Sequence, residues 1–142
     1  RTPRPTEPPI ETVEKAPDAR TILVVGDFLA GGLAEGLNAV YAQNPSVRIL
    51  DRSKSSSGLV RSDVLDWASE VGPMVEAEKP VAVIVMLRSN DRQQIHIGET
   101  REQPLSEAWL NEYDRRAGEL GKALAAAGAT WSSPAFSWGW PG

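Results

Sequence analysis

With 142 residues and a hydrophobic content of 41%, the chain is long enough to bury one compact core and is ordinary in composition for a globular domain. A net charge of −4 offers no basic face for nucleic acid, the lack of cysteine excludes disulfides and thiolate metal sites, and a single histidine excludes a histidine-rich one. No apolar run approaches the ~20 residues of a membrane-spanning helix, and neither a metal nor an organic cofactor is expected.

Arg1 to Arg20 carries Pro3, Pro5, Pro8, Pro9 and Pro17 among charged residues and threonines. Such a stretch holds neither a helix nor a central strand, so residues 1–20 read as an extended linker, with Ile10 and Val13 able to dock on the domain. The chain starts at Arg1 without a methionine or a signal pattern, which suggests a piece of a longer protein. Residues 21–130 read as one α/β domain. It opens on Ile22, Leu23, Val24 and Val25, a continuous apolar run suited to a strand buried on both faces. Gly26-Asp27 turns the backbone. A helix is expected next, with Asp27 as N-cap and an inward stripe of Leu29, Leu33, Leu37, Val40 and Tyr41, ending near Asn44-Pro45.

Val47 to Leu50 predicts a short second strand, followed by a loop of small polar residues from Asp51 to Gly58. Ser62 can cap a helical turn through Val64, Leu65 and Trp67. Gly72-Pro73 is expected to break that turn from a second short helix running to Lys79. Val81 to Leu87 is the most apolar run and should be central in the sheet. Arg88 to Pro104 reads as a polar loop of seventeen residues without secondary structure, a length that usually marks function. A long helix from about Ser106 to Ala127 follows, packing through Leu110, Tyr113, Ala117, Leu120 and Leu124, with Gly128 as its C-cap. A fourth parallel strand should come after Ala129-Thr130, but Pro134 argues against one, and three of the five tryptophans crowd into 131–142 without a period. That tail reads as irregular and the domain as C-terminally truncated, leaving a sheet edge open to association.

The expected fold is thus a three-layer α/β/α sandwich on a parallel sheet of at least three strands. Parallel order puts the loops after the strands at one sheet edge, so Asp27, Gly58 and Asn90 should converge there. A backbone amide and an Asn side-chain NH2 aimed at one point can stabilise a developing oxyanion, by about 3–4 kcal/mol per donor. The Gly31-Gly32 pair is not a phosphate loop, since no Lys-Ser/Thr follows and no Gly-x-Gly-x-x-Gly is present.

Three motifs carry a resemblance. Val24 to Ala30, Ser56 to Arg61 and Ser89 to Gln93 resemble, in order, the first three sequence blocks of the SGNH/GDSL hydrolase superfamily. The closest likeness is to a periplasmic, mostly alphaproteobacterial branch of domains of unknown function. The resemblance implies a flavodoxin-like fold, a periplasmic location, and an ester of a carbohydrate or cell-envelope polymer as the small-molecule ligand. It puts Phe28 at the position of the nucleophilic serine, Asp27 beside it, and Gly58 and Asn90 at the oxyanion hole. Ser57, Arg61, Asp91 and Arg92 are then candidate substrate contacts. The fourth block, Asp-x-x-His, does not occur in the chain. The serine and the base needed for a triad are therefore both missing.

Structural roles stand beside each of these. Asp27 can be only an N-cap, Phe28 a packing residue over the helix start, and Ser55, Ser56 and Ser57 a flexible polar loop. Asn90 and Asp91 can satisfy loop amides, His96 can be an exposed loop residue, and Arg61, Arg88 and Arg92 can either solvate the rim or hold an anion. Two functions stay open: an SGNH-type esterase or acyltransferase impaired by Phe28, and a catalytically inactive SGNH-like binding domain.

Overall fold

The computed structural model describes residues 13–87 and 91–132. Three strands form the body of one parallel sheet: β1 (Arg20–Gly26), β2 (Val47–Ser53) and β3 (Ala82–Met86), with β1 between the other two. Along β1 the side chains alternate between two buried faces, as period-two geometry requires. Leu23 and Val25 enter one core; Ile22 and Val24 enter another. The smaller core holds the helix α1 (Phe28–Val40) against the sheet. The larger lies under α2 (Trp67–Glu78) and α3 (Glu107–Ala126) on the opposite face. The chain is therefore a three-layer α/β/α sandwich.

Residues 13–19 run along the far end of α1. The amide of Val13 donates to the Ala42 carbonyl and that of Ala16 to the Pro45 carbonyl, both at 2.9 Å. The Lys15 ammonium caps the carbonyls of Tyr41 and Asn44 at 2.8 Å. Residues 1–12 and 133–142, Pro134 included, lie outside the described residues.

Four local expectations are corrected. The inward stripe of α1 is Ala30, Ala34, Leu37 and Tyr41: Leu37 and Tyr41 pack inward as expected, but Ala30 and Ala34 stand where Leu29 and Leu33 were expected, and Leu29 is 44% exposed. Small residues let the helix approach the sheet: a Cβ at Gly31 would lie 3.0 Å from Ser53 Oγ. Secondly, α2 runs unbroken through Gly72 and Pro73. Proline removes the bond to the Ser69 carbonyl, but both residues face solvent, where water can replace it. The buried stripe Trp67, Val71 and Val75 holds the helix together. Thirdly, the long polar loop contains a hairpin, β4 (Ile95–Ile97) and β5 (Thr100–Glu102), with Gly98 at φ +61° at its two-residue turn. Fourthly, a short strand β6 (Trp131–Ser132) pairs parallel with Val83 and Ile84, so the edge of β3 is covered there.

In α3 the inward face is Trp109, Tyr113, Ala117, Leu120 and Leu124, with Leu110 turned outward. Its end is a Schellman motif. The Gly128 amide (φ +76°) donates to the Ala125 carbonyl, and the Ala129 amide reaches back to that of Leu124, both at 3.0 Å.

Candidate functional site

The parallel register ends the three main strands level with one another, Gly26 opposite Ser53 on one side and Met86 on the other. The chain passes from β1 outward to β2 and then back across to β3. The gap between β1 and β3 is therefore the point where the strand order reverses, which is where open α/β sheets form a crevice. Gly26 sits at that point with φ +140°. A Cβ there would lie 1.9 Å from the Met86 carbonyl oxygen, so only glycine lets the strands run together this closely. The same carbonyl accepts the Asp27 amide at 3.0 Å.

Asp27 is fully buried and caps α1. Its carboxylate accepts the Leu29 amide at 3.0 Å, and its own carbonyl accepts those of Ala30 (3.0 Å) and Gly31 (3.3 Å). Of the first four amides of α1, only that of Phe28 has no acceptor among the described residues. The Phe28 side chain is 58% exposed. It opens the helix at the sheet edge instead of packing over its start.

The loop after β2 folds back onto β1. The Lys54 amide donates to the Gly26 carbonyl at 2.7 Å. Ser57 is fully buried and not part of a loose polar loop. Its hydroxyl stands 2.7 Å from the Lys54 carbonyl and 3.1 Å from that of Gly26, either of which can take its proton, and it accepts the Trp67 indole N–H at 2.9 Å. Ser57 thus ties the loop to the strand and faces the interior. Asp91, from the loop after β3, does the next part of the work. Its carboxylate, only 3% exposed, accepts the amides of Leu59 (3.4 Å) and Val60 (3.2 Å) and the Tyr113 hydroxyl (2.6 Å). Burial pushes this carboxyl above the usual carboxylate range and the nearby Asp27 charge adds to the rise, while Tyr113 and the two amides pull the other way. A Cβ on Gly58 would meet an Asp91 carboxylate oxygen at 2.2 Å. The Ser57 amide donates to the Lys54 carbonyl. Again one amide is left over: that of Gly58 has no acceptor among the described residues.

Beyond the helical spacing of Trp109, Tyr113 and Arg116, no local pattern signals the role of α3. These residues pin both site loops. The Trp109 indole donates to the Gln93 carbonyl at 2.8 Å and its ring stacks on Tyr113 with centroids 4.8 Å apart. Arg116 donates to the carbonyls of Leu59 (2.8 Å), Val60 (3.1 Å) and His96 (2.8 Å).

Asp27, Gly58 and Asp91 are therefore brought to one sheet edge, whereas Asn90, with Arg88 and Ser89, lies outside the described residues. Arg61 makes a forked ion pair with Asp63 at 2.8 and 2.9 Å, which draws that carboxyl down to about 2 and raises the guanidinium. Arg92 and His96 are exposed. An open cleft of about 460 Å³ lies behind the Gly58–Leu59 turn, against α3, and does not include Asp27, Phe28 or Asp91. Among the described residues no cluster could hold a metal ion, and no helix is long and apolar enough to cross a membrane.

Residues 21–132 match the family described as Protein of unknown function (DUF459). The chain belongs to that family. The DUF459 match runs from the second residue of β1 to the end of β6, so it takes in all three site loops and α3. No curated protein matches the chain.

Proposed function

We propose that this DUF459 chain is an SGNH-like domain that binds an acyl or carboxylate oxygen of a carbohydrate or cell-envelope ligand in the periplasm and does not cleave it. The observation that carries this reading is the pair of amides left over at the sheet edge, Phe28 N–H and Gly58 N–H. The Phe28 amide precedes those of Leu29, Ala30 and Gly31, which Asp27 takes up, and the Gly58 amide lies between those of Ser57, Leu59 and Val60, which the Lys54 carbonyl and Asp91 take up. A buried backbone donor such as that of Gly58 costs free energy unless an acceptor arrives, and with the Phe28 amide in the neighbouring turn it suits an oxygen carrying negative or partial negative charge. In the superfamily that the sequence resembles, such donors serve an oxyanion; by the same resemblance Asn90 supplies a third. The exposed Phe28 ring offers an apolar surface to an acyl chain or sugar face where a serine hydroxyl would otherwise attack. Arg92, exposed at the rim, is a candidate contact for an anionic substituent, while Arg61 is already committed to Asp63.

Hydrolysis or acyl transfer is the second reading, and the same two amides favour it. It needs a nucleophile and a base beyond Phe28 and His96, and His96 sits exposed on the hairpin. Two measurements separate the readings. Acetylated oligosaccharides titrated into ¹⁵N-labelled protein are expected to shift the Phe28 and Gly58 amides, and 4-nitrophenyl acetate is expected to hydrolyse no faster than with heat-denatured protein. Ester turnover that Asn90→Ala abolishes would establish the hydrolase instead. Unmoved Phe28 and Gly58 amides across the panel would remove the binding reading.

A further inference from the structure

We infer that Asp91 is a positioning residue: gripped by Tyr113, it holds the turn after β2 so that, of the amides of Ser57 to Val60, only that of Gly58 keeps a donor for a ligand oxygen. Four consecutive amides make the case. That of Ser57 closes on the Lys54 carbonyl, those of Leu59 and Val60 both end on the Asp91 carboxylate, and that of Gly58 meets nothing among the described residues. The fit is two-sided. Asp91 occupies the space a Gly58 side chain would fill, with its oxygen 2.2 Å from the notional Cβ, so the glycine and the carboxylate require one another.

The carboxylate is fixed from a third element. The Tyr113 hydroxyl reaches it at 2.6 Å from α3, and the Tyr113 ring is in turn stacked on Trp109. Arg116, on the same helix face, holds the carbonyls of Leu59 and Val60, so these two residues are bound through both their N–H and C=O groups. Among the described residues, the titratable groups that act on the Asp91 carboxylate are Tyr113 from α3 and Asp27 from the turn after β1. A buried carboxylate that accepts two amides and a phenol uses its charge to fix the backbone. Protonation leaves it a poorer acceptor and loosens the turn. Only the last step, that the freed donor meets a ligand oxygen, rests on the binding reading above.

The test is a pH titration of ¹⁵N-labelled protein, read at the amides of Gly58, Leu59 and Val60. All three are expected to move together with one midpoint above the usual carboxylate range, because burial raises Asp91. The amides of Leu29, Ala30 and Gly31, which report on Asp27, serve as the internal control. Tyr113→Phe removes a donor that favours the charged form, so the midpoint should rise further; a purely structural role would leave it unmoved. Asp91→Asn should abolish the shared titration. With sodium acetate as probe at pH 7, Tyr113→Phe should weaken the dissociation constant read at Gly58 by about tenfold, the scale of one lost charge-assisted bond. Should Asp91→Asn not fold, the wild-type and Tyr113→Phe titrations still decide. Separate midpoints for the three amides, or a titration that Tyr113→Phe leaves unshifted, would overturn the inference. Shared titration with no acetate response at Gly58 would uphold the positioning role and defeat the binding reading.

Discussion

A side chain at Gly26 would place its Cβ 1.9 Å from the Met86 carbonyl oxygen, and one at Gly58 would lie 2.2 Å from an Asp91 carboxylate oxygen. The two collisions differ in what can yield. Met86 belongs to a strand paired with β1, and Gly26 also has a positive φ, which by itself costs another residue about 1–3 kcal/mol. Asp91 can swing away, at the loss of its bonds to Leu59, Val60 and Tyr113. Gly26→Ala is therefore expected to destabilise by more than about 4 kcal/mol, and Gly58→Ala by about 2 kcal/mol. Urea denaturation of the two variants checks the order, and equal losses would show that Asp91 cannot move. How much of this was legible beforehand depends on the residue. Gly58, Asn90 and Asp91 stood out by motif order. That Asp91 turns inward to the Leu59 and Val60 amides was not legible, because its partners come from a loop and a helix whose approach no local pattern encodes. Ser57 misled for the same reason: three serines in a row look like a solvated loop until the Trp67 indole is seen to need an acceptor.

At the scale of elements, α3 emerges as the clamp of the site. Its inward apolar stripe was mostly readable from period alone, but Arg116 reads on a helical wheel as a surface cation. Its three carbonyl acceptors belong to the turn after β2 and to β4. Arg116→Ala should cost about 2–3 kcal/mol, since hydrogen bonds from a charged donor are being removed from a half-buried place. Its neighbour Arg115 pairs, among the described residues, only with Glu112 and Glu119, and its side chain is 59% exposed. Arg115→Ala should change stability by no more than about 0.5 kcal/mol. Thermal unfolding of both variants, with hydrogen exchange at Leu59, Val60 and Ile97, reads the contrast; similar losses for the two arginines would deny α3 its clamping role. The two helices whose details departed from expectation share a cause. In α1 the phase is set by the cap at Asp27 and by close packing of Ala30 and Ala34, and in α2 the buried stripe outweighs an exposed proline.

For the whole molecule, the apolar runs were enough to indicate a parallel sheet covered on both faces, and topology alone brought the strand-end loops to one edge. The order β2-β1-β3-β6 was not legible, since runs of similar apolarity do not state which lies in the middle. Nor was β6, whose two residues are held by register with Val83 and Ile84 and not by any strand-like pattern. That order matters for function: it makes the gap between β1 and β3 the reversal point and puts Gly26, Asp27 and Asp91 around it. A crystal structure of the domain grown with an acetylated sugar tests the binding role of the Phe28 and Gly58 amides most directly. One ligand oxygen is expected within about 3 Å of both the Phe28 and the Gly58 amide nitrogens, with the Phe28 ring against the acyl group or sugar and the ester bond intact. A ligand seated elsewhere, or a protein group already occupying the Gly58 amide, would contradict that role.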